Sequence, residues 1–317
     1  VNARSRLRVT LSFLAVYLIW GSTYLAIRFA IETLPPFLMA GARYLAAGAA
    51  LYGWGLRDGA RPTHHHWREA LLLGALFFLG GNGAVVWAEQ RIPSGIASLL
   101  IATMPLWVVV LDWVRPGGTR PHRLVAAGVV LGFGGLVLLM SGNGADSTRI
   151  DVAGAVVLVG GALSWAVGSL YALHADLPRS LPLASGMEML AGGVLLVLAG
   201  LAGGELGSIH LEAISDRSVL AFAYLVVFGS IVAFSAFRYL VDAVPPSRLS
   251  TYAYVNPVVA VVLGWLLAGE VITAQTMTGA GVIVGAVAMV TAGGGARAPR
   301  EPAPAPVAEL AEEPPPS

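Results

Sequence analysis

The feature that most constrains this chain is that its long apolar runs recur as two copies of one unit. Leu18-Ile19-Trp20-Gly21-Ser22 and Leu163-Ser164-Trp165-Ala166-Val167-Gly168-Ser169 open matching stretches. Each is followed by a proline-marked boundary, at Pro35-Pro36 in the first copy and at Pro182 in the second. Then come Ile92-Pro93-Ser94 and Val244-Pro245-Pro246, followed by a helix expected to be interrupted at Pro105 or Pro257. Each copy closes with a Gly-xxx-Gly helix, Gly128 to Gly132 or Gly281 to Gly285. Duplication of several hydrophobic segments is a sequence mark of secondary transporters.

Composition agrees with a bilayer environment. The 317 residues are 56% hydrophobic and 12% charged, with a mean hydropathy of +0.75. A water-soluble domain carries roughly 25% charged residues, so most of this outer surface has to meet lipid. The net charge of +1, with arginines dispersed among loops, gives no nucleic-acid face. Neither cysteine nor lysine occurs. Disulfides, thiolate metal sites, a Walker A lysine and a Schiff-base lysine are therefore all excluded. No HExxH, GxSxG or GxGxxG after a strand is present, and no nucleophile, base and oxyanion donor assemble. The reading is that the chain is not an enzyme and uses no cofactor or metal.

A helix needs about 20 largely apolar residues to cross the hydrocarbon. That rule predicts an all-α polytopic membrane protein with ten transmembrane helices, arranged as two inverted five-helix repeats. The first repeat, 9–141, holds spans at 9–31, 36–57, 68–90, 95–114 and 123–141. A polar connecting loop, 142–151, leads to the second repeat, 152–293, with spans at 152–173, 182–203, 219–240, 249–269 and 276–293. The Pro-, Ala- and Glu-rich tail 294–317 is expected to be disordered and cytoplasmic. The cationic start at Arg4, Arg6 and Arg8 precedes an apolar run too long for a signal-peptide core, so a first spanning helix is expected there. With the N-terminus inside, fourteen arginines fall on the cytoplasmic side against four opposite, Arg28, Arg91, Arg149 and Arg217. That bias supports a multi-pass plasma-membrane protein with both termini cytoplasmic. Five spans per half is an odd number, so the second copy enters from the opposite side.

The Trp-x-x-(Ser/Thr) starts, Pro93-Ser94-Gly95-Ile96-Ala97-Ser98 and Ser250-Thr251-Tyr252-Ala253-Tyr254-Val255-Asn256-Pro257 resemble EamA-type transporters of the drug/metabolite transporter superfamily. The resemblance covers roughly 11–292. It implies ten helices in inverted repeats around a central cavity, with export of small metabolites or amino acids without ATP. One departure stands out. The fourth helix of the second copy ends in Ala268-Gly269-Glu270, matching the family's Gly-Glu, whereas the first copy reads Arg115-Pro116-Gly117-Gly118 with no acid.

Arg43 is the foremost candidate for cargo contact, because a charge at membrane depth has to be paired or to face water. Glu188 lies one position from Arg43 under the repeat alignment. It can pair with Arg43, bind a cationic group or carry a proton. Opposite charges at similar depth would suit a zwitterionic cargo. Trp20 and Trp165 sit mid-span at matching places, which disfavours an interfacial belt and favours a cavity wall. Ser22, Thr23, Ser164 and Ser169 can bond cargo or their own helix carbonyls. Asn82 is either a lining residue or interhelical glue. Pro105 and Pro257 free the carbonyls of Ile101 and Ala253 and mark candidate hinges beside Trp107, Tyr252 and Asn256. The candidate cargo-binding set is thus Trp20, Arg43, Asn82, Trp107, Trp165, Glu188, Tyr252 and Asn256. The Gly-xxx-Gly motifs favour packing between repeats or subunits, which leaves a homodimer open. His64-His65-His66 reads as a solvated turn. Asp112, Glu32, Glu89 and Asp242 sit near span ends, where a wet interface suffices. The partners expected are a small-molecule substrate and the lipid bilayer. Rival readings are a passive channel and an intramembrane enzyme acting on a lipid-linked substrate.

Overall fold

The computed structural model describes residues 3–57, 59, 61–118, 120–140, 151–244, 246–249 and 251–294. The connecting loop up to residue 150 and the tail from residue 295 lie outside the described residues, as does the side chain of Asp242. Every described element is helical, and no strand occurs among the described residues.

The helices are numbered in chain order. Helix α1 spans 3–30, α2 Pro36–Leu56, α3 64–88, α4 94–114 and α5 Arg123–Met140. Helix α6 spans Val152–Ala172, α7 Leu181–Ala202, α8 216–243, α9 Tyr252–Ala268 and α10 Ala274–Gly294. Eight of these are long and apolar enough to cross a membrane by length and composition; α9 is a shorter apolar helix of 17 residues. Helix α2 has 21 residues, but Arg43 and its glycines and tyrosines dilute its hydropathy. The predicted spans and the observed helices agree to within a few residues at most ends, with α1 extending further back than expected.

Proline and glycine set several boundaries. Pro36 and Pro182 stand in the first turns of α2 and α7, where a missing N–H costs nothing. Gly269, with φ 64°, ends α9 in the left-handed conformation that a side chain disfavours. Asp151 caps α6 by accepting from the Gly154 N–H at 2.9 Å. Thr63 and His66 form a reciprocal capping box at the start of α3, which gives that histidine a structural task.

The two halves are joined by paired helices. Helix α2 packs along α7 through glycines spaced seven apart: Gly41, Gly48 and Gly55 on one, Gly186 and Gly193 on the other. A Cβ at Gly48 would lie 2.9 Å from the Leu190 nitrogen, and one at Gly186 2.5 Å from the Tyr52 nitrogen. Helices without large side chains at such points approach backbone to backbone, which is where membrane helices gain packing energy. Helix α5 pairs with α10 in the same manner, with Gly128 against Ala286 and Gly135 against Val282 and Ile283. Gly281 and Gly285 have nothing within 4 Å, so only the first Gly-xxx-Gly packs between the halves.

Three helices contain wide π-type turns: Val16–Trp20 in α1, Ala75–Asn82 in α3 and Leu225–Val232 in α8. The last two occupy the third helix of each half. Side chains take up carbonyls inside them: Asn82 donates to Phe77 at 3.1 Å, and Ser230 to Leu225 at 3.0 Å. Helix α4 breaks at Ala102–Thr103, just before Pro105, and Thr103 donates its hydroxyl to Leu100 at 2.6 Å. Pro257 behaves differently from the expectation: α9 runs unbroken through it, and the interruption falls earlier, between Pro246–Leu249 and Tyr252.

Candidate functional site

Eight helices, all but α5 and α10, enclose a cavity of about 380 Å³. Its position follows from the local turns just described. The π-type segments contribute Trp20, Phe77, Phe78, Asn82 and Ser230, and the break in α4 contributes Pro105. Such turns re-aim side chains within an otherwise regular helix.

One wall is aromatic. Trp20 meets Phe237 at 5.1 Å and Tyr252 at 5.5 Å between ring centroids, and its Nε1–H donates to the Gly229 carbonyl at 3.2 Å. Across the cavity, Trp165 lies 6.3 Å from Phe77, and Tyr44 packs 4.5 Å from Phe78. Thr23 and Ser169 reach the cavity while donating to the carbonyls of Trp20 and Trp165. Ser22 and Ser164 bond elsewhere, the first with Ile19 and Tyr224, the second with Leu76 of α3.

Arg43 is buried, at 5% exposure, yet borders the cavity. Its Nε donates to the Ser230 hydroxyl at 2.9 Å, and its guanidinium lies 4.7 Å from the Tyr44 ring centroid. Gly229 leaves it room, since a Cβ there would sit 3.2 Å from the Arg43 Nη2. Glu188 lines the same cavity, and no ion pair joins it to Arg43 among the described residues. The cation is therefore held by a neutral hydroxyl and an aromatic ring, and the acid is available to the cavity.

Of the candidate residues, Trp20, Arg43, Asn82, Trp165, Glu188, Tyr252 and Asn256 border this one space, together with both prolines. Trp107 does not. It lies two residues past Pro105, about 200° around the helix, and its ring packs at 4.8 Å against Phe133 of α5 with its Nε1 buried and unpartnered. Sequence reasoning missed Tyr24, Tyr44, Ser98, Ser185, Ser230 and Phe234. A signal for some was present, because Trp20, Tyr24 and Ile27 fall on one helical face, as do Ser185, Glu188 and Met189.

The acids near the span ends divide sharply. Asp112 pairs with Arg115 at 2.6 Å, and Glu32 with Arg217 at 3.5 Å, both partly exposed. Glu270 accepts from the Ser94 N–H and hydroxyl, each at 2.7 Å, and from the Gly95 N–H at 2.9 Å. It thereby caps α4 from the opposite half. Glu205 does the same for α2, accepting from Phe37 and Leu38 at 3.1 and 2.9 Å. Glu89 corrects the expectation of a wet interface: it is 0% exposed, and neither carboxyl oxygen has a hydrogen-bond partner among the described residues. The end of α3 just before it packs against α1, α2 and α6. No group of His, Cys, Asp or Glu suited to a metal occurs among the described residues.

Large apolar side chains such as Val130, Val137, Leu220 and Leu266 stand exposed on the outside. Apolar outside, with a cavity inside that carries charge and aromatic faces, defines a multi-pass membrane transporter. The chain belongs to the EamA-like transporter family, which matches residues 7–141 and 152–292. It is 42% identical over 282 residues to the uncharacterized inner membrane transporter YedA of Escherichia coli strain K12, covering 88% of this chain and 89% of that one. A probable amino-acid metabolite efflux pump of Salmonella typhimurium is 23% identical over 281 residues, with 86% and 90% covered. A solved crystal structure superposes with a TM-score of 0.59 at 21% identity, covering 90% of this chain and 96% of the other, and shares its fold.

Proposed function

We propose that the chain is a secondary carrier that exports small metabolites of amino-acid type across the cytoplasmic membrane by alternating access. The observation that carries this reading is a shared cavity lined by Arg43 from the second helix of one half and by Glu188 from the second helix of the other. A cation and an acid lining one cavity, with aromatic faces beside them, fit the ammonium, carboxylate and side chain of a zwitterion. The ten helices, read as two inverted five-helix repeats, and the arginine bias of fourteen to four support both termini in the cytoplasm. The name of the Salmonella relative, a probable amino-acid metabolite efflux pump, points to the same cargo class.

The test is purified protein in liposomes loaded with a radiolabelled mixture of the twenty L-amino acids. Saturable efflux stimulated by unlabelled cargo on the opposite side is the expected result. Linear, unsaturable flux would favour a passive channel instead. Absence of flux for every amino acid would overturn the cargo assignment.

A further inference from the structure

Among the described residues, Glu89 is the acid whose two carboxyl oxygens are both buried and unpartnered. It stands one residue past α3, at the end where α1 and α3 finish and α4, α6 and α8 begin. That end is closed by several bonds. Glu270 holds Ser94 and Gly95, Ser218 donates to the Phe29 carbonyl at 2.7 Å, and Arg217 lies over the Phe29 ring. Within this junction Glu89 has no exposure, and both carboxyl oxygens are without a partner. An ionised carboxylate so placed would be strongly disfavoured, so the neutral acid is the form that fits.

The surroundings decide what it binds. A metal ion would need about six oxygen ligands, and no polar atom here bonds the carboxyl at all. A proton needs none. The charged and titratable groups facing Glu89 are Tyr24 and Arg28 of α1 and Glu270 beyond α9. Arg43 and Tyr44 of α2 are engaged at the cavity, and Asp151 caps α6. On its own hairpin, Arg91 stacks on Trp87 at 4.2 Å. Arg28 is the group able to respond. Its Nη1 donates at 2.6 Å to the backbone carbonyl of Glu89 and not to the carboxyl. Tyr24 lines the cavity, and so does Val85, one turn before Glu89.

We propose that Glu89 is the proton-binding site of the carrier, protonated while this end of the bundle is closed and deprotonated when it opens. Resting on the carrier reading above, this makes transport proton-linked. On opening, the carboxyl O–H bond breaks, the proton passes to water, and the carboxylate left behind is balanced by Arg28. On closing, a proton from water reforms the acid. The sign follows from linkage. The closed state binds the extra proton, so it is favoured at low pH and loses ground as pH rises.

The experiment uses the absence of native cysteine. Ser98, which lines the cavity one turn into α4, is changed to cysteine, and a sulfonated, membrane-impermeant maleimide is applied from the far side of sealed vesicles. Thiol reactivity rises with pH by itself, so the readout is the ratio of labelling rates between the otherwise native and Glu89→Gln backgrounds. The ratio should climb with pH, by up to about tenfold per pH unit, the limit for one linked proton. Glu89→Asp, which keeps an acid, should retain the dependence when compared with the same Glu89→Gln background, which separates loss of the proton site from a disturbance of folding. A ratio flat with pH, or no labelling from that side in either background, overturns the proposal. Failure to move any amino acid with a ratio that still climbs would remove the cargo assignment and leave the proton site standing.

Discussion

At the scale of single residues, Arg43 shows how a charge is kept at depth without an opposite charge. Its Nε donates to the Ser230 hydroxyl, Ser230 in turn donates its O–H to the Leu225 carbonyl, and the Tyr44 ring faces the guanidinium. Because Ser230 keeps its carbonyl partner, truncating the arginine leaves no orphaned hydroxyl. Arg43→Ala should therefore preserve folding while weakening cargo affinity. A hydrogen bond to a charged group is worth about 1.5–3 kcal/mol, or about ten- to hundredfold in half-saturating concentration. Liposome flux measured against cargo concentration checks this, and unchanged saturation would remove Arg43 from the site. Glu188→Gln should act on the same parameter without altering thermal stability, since no ion pair depends on it. Residue type and depth made both legible in the sequence. Glu89 was not, because its burial comes from helices distant in the chain closing over a position that looks like a span end.

At the scale of elements, hydrophobic length and proline placement nearly sufficed to place the helices. Local irregularity was harder to read. Pro105 marks a break because Thr103 closes the turn before it, whereas Pro257 sits within a continuous helix. Trp107, two residues past Pro105 on the same helix, faces Phe133 of α5 instead of the cavity. The glycine pattern was present in the chain all along, at 41, 48 and 55 and again at 186 and 193, with a period of seven residues. Its meaning depends on which two helices meet. Gly48→Val should destabilise the α2–α7 pair, since even its Cβ would lie 3.1 Å from the Gly186 carbonyl. Overpacking of this kind costs about 1–3 kcal/mol. Gly53→Ala in the same helix meets nothing within 4 Å and serves as the control. Thermal unfolding in detergent should show a lowered Tm for the first and none for the second.

At the scale of the whole molecule, the duplication visible in the sequence becomes two halves that share their closures. Glu270 of the second half caps α4 of the first, and Glu205 caps α2. Cysteines at exposed loop positions can test the orientation proposed above. His174→Cys, after α6, should react with an impermeant maleimide only from the cytoplasmic side, and Gly207→Cys, after α7, only from the opposite side. Reaction of both from one side would rule out the proposed insertion. The duplication also shows where the copies diverge. The first half has Gly117-Gly118 where the second has Gly269-Glu270, and Pro246 stands where the first half has Ser94. The absent acid and the absent N–H belong to the same contact, so the bond between Glu270 and Ser94 has no counterpart at the equivalent positions of the other half.

Among the described residues, the carboxylate clasp of Glu270 has no counterpart at the opposite mouth. In the alternating-access reading and orientation proposed above, the clasped mouth faces the exterior, so an empty carrier would rest turned toward the cell's own contents. Outward release would then be the step that has to be driven.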